Sequence, residues 1–282
     1  MYDFSIQSEY GNKLKLSEMP EEYSIMSIAG IDPPNAQIYE VKNSTMDGNV
    51  FNEATLEDRL VIVTFAINGP AEENRLNLYK YLKIKKKHRL FYSNGSRDVY
   101  IDGYLESLPI GIFDQKEIAQ ATFRCPDPYF KDVSSIAESF SYTTRLFEFP
   151  FAIEEPIPFS EYSENNMITI LNHGDVATGG IFTIQASGTV TNPKISSVNT
   201  GEYIEFDTSL SNGDILIINT IEKQKSVMIV RSGIPANAIN YLEAGSDFIQ
   251  IEPGINDYYI SAQSGEDYLT GEVMINVLYQ GA

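Results

Sequence analysis

The alternation of apolar and polar positions predicts a chain built mostly of strands. Tyr2, Phe4 and Ile6 alternate with Asp3, Ser5 and Gln7, the period-two pattern of a half-buried strand. Residues 60–67 are apolar at nearly every position and rich in β-branched side chains, which predicts a strand buried on both faces. Leu90-Phe91-Tyr92 and Val99-Tyr100-Ile101 flank Asn94-Gly95, a dipeptide that takes positive φ at low steric cost, so a tight hairpin is expected. Residues 119–124 form a further short strand. From Met167 onward, apolar runs recur at the spacing of an all-β sandwich: 167–171, 181–186, 203–206, 215–219, 227–230, 248–251, 258–262 and 273–278. Asn212-Gly213-Asp214 and Pro253-Gly254-Ile255-Asn256 punctuate them as turns.

One stretch reads as helix, residues 70–87. Gly69 is placed as N-cap, Pro70 as first helical residue, and Glu72 and Glu73 in the first turn, where the macrodipole favours negative charge. Lys83, Lys85, Lys86 and Lys87 crowd the far end, as the same dipole favours. Leu78, Tyr81 and Leu82, widened by Leu76 and Tyr79, give a face to pack on a sheet. Between Asp132 and Asn166 the texture changes to an aromatic-rich stretch with Phe140, Tyr142, Phe147, Phe149, Phe151, Phe159 and Tyr162, a connector expected to become an edge strand. The chain is therefore read as two β-rich domains, 1–133 with the single helix and 134–282 as a β-sandwich, and 282 residues suit two domains of ~150.

Charge sharpens this division. Residues 1–133 carry 15 basic and 20 acidic side chains, whereas 134–282 carry 5 and 19, so most of the net −19 lies in the second half. A field of that sign repels phosphate and argues against nonspecific nucleic-acid binding by the whole chain. No apolar run approaches the ~20 residues that span a bilayer, and no membrane partner is expected. The amino terminus lacks the regions of a signal peptide, so the mature protein is expected to begin at or near Met1.

Candidate chemistry is sparse. Cys125 is the one cysteine, and with His88 and His173 it cannot make a zinc site of the common Cys/His kind; no metal or cofactor is expected. Cys125 has no sequence-local histidine and reads as a small buried hydrophobe. His173 lies in the polar turn Asn172-His173-Gly174-Asp175 and reads as a loop histidine. With 39 acidic residues, chance carboxylate pairs are too common to signal glycoside hydrolysis. Phosphate-loop, calcium-loop and Gly-x-Ser-x-Gly motifs are absent. The basic run 83–89 reads as a solvated helix end, or as a contact for the acidic surface of a neighbouring copy.

The most specific string is Cys125-Pro126-Asp127-Pro128-Tyr129-Phe130, directly after a strand. Each proline fixes φ and forces the residue before it out of the α region, so the strand must end there and the chain leaves in a stiff direction. Tyr129 and Phe130 can anchor that exit, making the string a rigid hinge. With Gly30-Ile31-Asp32-Pro33-Pro34, Met46-Asp47-Gly48, Arg59, the helix with Arg75 and Leu78, and Ile101-Asp102-Gly103-Tyr104-Leu105-Glu106, the first 133 residues resemble the distal tail protein (Dit) family of long-tailed phages of Gram-positive hosts. The second half resembles that family's galectin-like sandwich more loosely, with no comparable string.

The resemblance implies a mainly β fold: an amino-terminal sandwich or split barrel with one helix, then a galectin-like β-sandwich. It implies a structural virion protein of the tail tip or baseplate, not an enzyme. Six copies would form a ring joining the tail tube protein, the tape-measure protein, a tail-tip (Tal-like) protein and receptor-binding proteins. A carbohydrate-binding module is the alternative, against which the lack of tryptophan counts.

Overall fold

The computed structural model describes residues 2–9, 11–42, 47–112, 115–140 and 166–282. The chain divides into two compact units: Met1–Val133 joined by the returning Leu278–Ala282, and Ser134–Val277.

The first unit contains β1 (Asp3–Ser8), β2 (Lys13–Leu14), β3 (Tyr23–Ala29), β4 (Ala36–Lys42), β5 (Asn49–Leu56), β6 (Arg59–Ile67), helix α1 (Ala71–Tyr81), β7 (Lys87–Ser93), β8 (Asp98–Ser107) and β9 (Glu117–Cys125). Strand β10 (Phe130–Ser139) then carries the chain out of it. Antiparallel pairing runs β2-β1-β7-β8-β9-β6-β3. On its side away from β7, β8 holds β10 at Val99 and Tyr100 and β9 from Tyr104 to Ser107, so the sheet splits along this strand. Phe4, Ile6, Tyr23, Val63, Phe65, Leu90, Ile101 and Phe123 are buried in the core, and Tyr23 meets Phe65 edge-on at 6.0 Å. The hairpin expected at 90–101 is present as β7 and β8. Asn94 organises its turn by accepting the backbone N–H groups of Ser96 and Arg97, and Gly95 takes φ +87.

Strand β6 departs from its expected burial on both faces. Arg59, Val61, Val63 and Phe65 point inward, while Leu60 is 40% exposed and Ile62 and Thr64 are half-buried. Its burial is two-sided only over its last three residues.

The helix is shorter than expected. Pro70, in an extended conformation, occupies the cap position in place of Gly69, and the helix stops at Tyr81 with Leu82 already extended. Backbone bonds from Lys85 N–H to Leu105 O and from Leu105 N–H to Lys86 O attach the next residues to β8 instead. Sheet pairing outcompetes helix continuation, and Lys87 opens β7. Leu78 and Leu82 are buried, but Leu76 and Tyr79 face solvent, since at 100° per residue Leu76 lies nearly opposite Leu78. Arg75 holds α1 to β9 through Glu117 at 3.0 Å, both side chains being largely covered, and the Tyr23 hydroxyl donates to Asn74 O.

The second unit is a sandwich of two antiparallel sheets built from β11 (Met167–Asn172), β12 (Gly180–Ala186), β13 (Val190–Ser197), β14 (Tyr203–Glu205), β15 (Ser209–Leu210), β16 (Ile215–Asn219), β17 (Ser226–Arg231), β18 (Ile234–Asn237), β19 (Gly254–Ser264) and β20 (Leu269–Tyr279). One sheet runs β18-β17-β16-β12-β20 and the other β11-β19-β13-β14, with β15 also on β13. Phe182 of the first meets Tyr258 of the second edge-on at 5.8 Å, in a core that includes Ile184, Leu216, Ile229, Ile195 and Ile260.

Two sequence expectations fail here. Residues 248–251 form no strand: Ile249 and Ile251 are buried, but pairing is limited to one bridge between Ile251 and Thr178. Strand β13, central in its sheet, is absent from the strands expected from the sequence, and its Asn192-Pro193 is by propensity a turn signal. Pro193 is tolerated because the strand is irregular there: β15 pairs at 190–191, β14 from Lys194, and Asn192 sits at φ +50 between them. The stretch read as a connector begins as β10, with Phe140 buried; Tyr142, Phe147, Phe149, Phe151, Phe159 and Tyr162 lie outside the described residues, as does Met46.

Candidate functional site

The strings that stood out separately in the sequence converge in the first unit. The register of β6 on β9 sets Arg59 directly opposite Cys125, which places its guanidinium where the chain leaves β9. Arg59 is 3% exposed. Its Nε donates to Pro128 O at 2.7 Å, Nη1 to Gly30 O at 2.7 Å and Asp32 O at 2.6 Å, and Nη2 to Gln280 O at 2.5 Å. Its planar group also lies 4.8 Å from the Phe130 ring centroid. One side chain thus gathers four backbone carbonyls from three separate segments. Burial lowers the Arg59 pKa, with Cys125 and Asp32 opposing.

Two glycines make this junction possible. Gly30 takes φ +85, and a Cβ there would stand 2.0 Å from Leu60 O. A Cβ on Gly103 would stand 2.7 Å from the Cys125 Sγ. Asp127 accepts the Tyr129 N–H at 3.4 Å and pairs with Lys131 at 2.8 Å, while Pro128 and Phe130 are buried and Tyr129 half-buried. The returning carboxyl-terminal residues complete the cluster. The Tyr279 hydroxyl donates to Asp132, Arg97 donates to Gly281 O and stacks 4.2 Å from the Tyr279 ring centroid, and the Ala282 N–H donates to Ile31 O. Nothing in the sequence singles out residues 278–282.

A second feature of the first unit is the hairpin of β4 and β5, a two-stranded sheet that among the described residues pairs only with itself. Every residue of β4 and all of β5 except Leu56 are exposed, among them Phe51 at 63%, Ile38 at 58% and Val50 at 57%. Opposite residues share a face, so one side carries Ile38, Ala54 and Phe51 with Glu40, and the other Tyr39, Val41 and Val50 with Glu53. An isolated two-stranded hairpin is marginal in water, and one with apolar residues on both faces presents surface suited to a partner.

Residues 173–270 match the family model of the siphovirus-type tail component, C-terminal domain. The match lies within the second unit. Over its whole length the chain shares the fold of SPP1 Dit, described as a paradigm of the hub adsorption apparatus in phages infecting Gram-positive bacteria. The TM-score is 0.69, at 14% identity over 98% of both chains. Structures of the phage P2 baseplate in its activated conformation, with Ca and with Sr, match at TM-scores of 0.55 and 0.54, each at 10% identity over 100% of both chains. No curated protein sequence matches the chain. The Dit resemblance and the mainly β fold read from the sequence are borne out. The family match falls on the half for which the sequence offered no specific string.

Burial pushes the Cys125 thiol up to about 12, so the thiolate is not the form present at neutral pH. His88 is buried, with Nδ1 2.9 Å from Lys86 O and Nε2 3.2 Å from Tyr81 O, both backbone contacts, and its ring meets Phe123. His173 is exposed in a turn organised by Asn172, whose side chain accepts the Gly174 N–H and donates to Val176 O and Ile251 O. Among the described residues, no three His, Cys, Asp or Glu side chains cluster as a metal would require. The basic run is not a helix end: Lys83, Lys85 and Lys86 lie on the turn after α1 and Lys87 on β7. Arg89 and Lys87 both pair with Asp102. Burial alone would raise that carboxyl, but the two cations outweigh it and hold it below the ordinary range.

Proposed function

We propose that this chain is the structural hub of a phage tail tip, a non-enzymatic protein of the virion. Six copies close into a ring through their first units, and the second units project outward as adapters for tail-tip and receptor-binding proteins. Tail tube and tape-measure proteins meet the ring itself. In this reading residues 125–130 are the stiff hinge between the two domains, held by Arg59. The observation that carries the proposal is the β4–β5 hairpin, whose two apolar faces are exposed among the described residues of the unit that bears them. A surface of that kind suits a lasting contact between copies better than a soluble monomeric module. Light scattering on the purified chain, alone and mixed with its tail partners, tests it. A closed ring of six gives about 190 kDa from a 31.6 kDa chain; a monomer under all those conditions would sink the proposal.

A further inference from the structure

We infer that the free edge of β11 is a strand-addition site, which takes an extended, basic-flanked segment of another tail protein as one more strand of its sheet. The inference rests on the reading of the second unit as an adapter and names the surface by which it holds a partner. Among the described residues β11 pairs only with β19. The Ile260 N–H donates to Asn166 O at 2.8 Å, so residues 166 and 260 form a hydrogen-bonded pair of the antiparallel ladder. Alternation then turns the N–H and C=O groups of Ile168, Ile170 and Asn172 toward β19, and those of Met167, Thr169 and Leu171 away from it. These outward groups line a strand with no charge, no proline and no glycine. Other edges of the unit are protected. On β14, the Asp247 N–H donates to Tyr203 O and the Glu243 N–H to Glu205 O, and β18 carries Pro235. Strand β11 has neither device.

The side chains beside the edge select the occupant. Met167 lies opposite Tyr259 and Leu171 opposite Ile255, and all four are exposed on one face of the sheet, Leu171 at 56% and Ile255 at 66%. Alternate apolar side chains of an added strand continue that row. Two carboxylates stand beside it. Asp257, opposite Thr169, accepts the Thr169 hydroxyl at 2.6 Å, and Glu266 accepts the Asn166 side-chain amide at 2.6 Å and the Tyr259 hydroxyl. Residues 134–282 carry 5 basic and 19 acidic side chains, and Lys194, Lys225 and Arg231 are already paired with Glu205, Glu222 and Asp214. A second copy brings the same strand with the same acidic excess, so charge opposes pairing of β11 with itself. It favours a strand flanked by lysine or arginine, drawn in by the field and held by main-chain bonds.

Amide exchange, read by NMR on the full chain, tests the edge first. Met167, Thr169 and Leu171 should exchange rapidly, and Ile168 and Ile170 slowly. Outward amides already slow in dilute protein would mean that the chain covers its own edge, and amides that slow only on concentration would mean a second copy; either result overturns the inference. The probe is a seven-residue peptide alternating valine and threonine, with lysine at each end. It should protect the three outward amides and bind about tenfold or more tightly than the same peptide ending in glutamate, the difference shrinking as salt rises. No binding, equal binding of the two peptides, or binding without that protection would also overturn it. Thr169→Pro removes one outward N–H and no bond to β19, so it should weaken the peptide about tenfold or more and leave the fold intact by circular dichroism. Thr169→Val keeps the N–H and should bind like wild type, while Leu171→Lys leaves the backbone alone and should weaken the lysine-ended peptide by placing a cation beside it. Equal binding by the proline and valine variants would sink the main-chain mechanism. In cross-linked tails, partner links to other parts of the second unit remove this edge alone, whereas links confined to the first unit remove the adapter reading as well.

Discussion

Replacing Arg59 by alanine removes a charged donor from Pro128 O, Gly30 O, Asp32 O and Gln280 O at once. A hydrogen bond from a charged group contributes about 1.5–3 kcal/mol net, so four give a gross figure of roughly 6–12 kcal/mol. Against this stands the desolvation of a guanidinium only 3% exposed, several kcal/mol even after relaxation, and water can reach some of the freed carbonyls. The expected loss is about 3–5 kcal/mol, near the top of the range for single substitutions. For a unit of this size that corresponds to a melting temperature roughly 10–17 °C lower.

Arg59→Met separates charge from volume. A buried ion pair can often be exchanged for apolar groups at little cost, because both partners leave together. Here the four carbonyls stay behind, so methionine should recover packing against Phe130 and little else. Urea unfolding followed by circular dichroism gives the free energies, and hydrogen exchange should show lost protection over residues 125–132. An Arg59→Met protein within about 1 kcal/mol of wild type would refute the reasoning.

Gly103→Ala sets a Cβ 2.7 Å from the Cys125 Sγ and should cost about 1–3 kcal/mol; Gly103→Ala/Cys125→Ala should recover part of it, measured by urea unfolding of the two single variants and the double. Cys125 and Tyr23 are both raised to about 12 by burial, so the folded chain keeps protons that the unfolded chain releases from ~8.5 for the thiol and ~10 for the phenol. Stability should therefore be unaffected by these groups below about pH 8 and fall as pH rises toward 12. The thiol should also ignore Ellman's reagent at pH 8 until the protein is unfolded.

Local rules carried much of the fold and little of the junction. Period-two patterning and the Asn94-Gly95 turn were enough for β7 and β8, because the burial of one face and the φ requirement of a turn are local properties. Gly30, Arg59, Gly103 and the Cys125–Phe130 string were each visible, but what unites them is the β6–β9 register that sets Arg59 opposite Cys125, and register is a property of two distant segments. The lysines after α1 misled for a related reason. They satisfy a helix dipole on paper, yet backbone pairing with Leu105 claims the same residues and wins. In β13, Asn-Pro is a turn signal by propensity, and only neighbouring strands that leave a gap at that position make it a strand.

The same guanidinium fixes both passages of the chain across the unit boundary, and this changes what a truncation should do. Pro128 lies five residues before the exit at Val133, and Gln280 lies within the five residues that return after Val277. A fragment ending at Val133 loses the Gln280 acceptor of Arg59, the Gly281 acceptor of Arg97, the Tyr279 bond to Asp132 and the Ala282 bond to Ile31. At ~0.5–1.5 kcal/mol for an ordinary bond and ~1.5–3 for each of the two from arginine, the gross deficit is about 4–9 kcal/mol, enough to unfold a marginal domain. Because Tyr279 bonds Asp132, residues 133 and 278 can be joined by a short Gly/Ser linker without strain. The joined fragment should melt cooperatively with one helix and its sheet, and fragment 1–133 should melt far lower or not fold at all. Equal stability of the two fragments, by calorimetry at matched concentration, would show that the returning tail is incidental and that the first unit is complete without it.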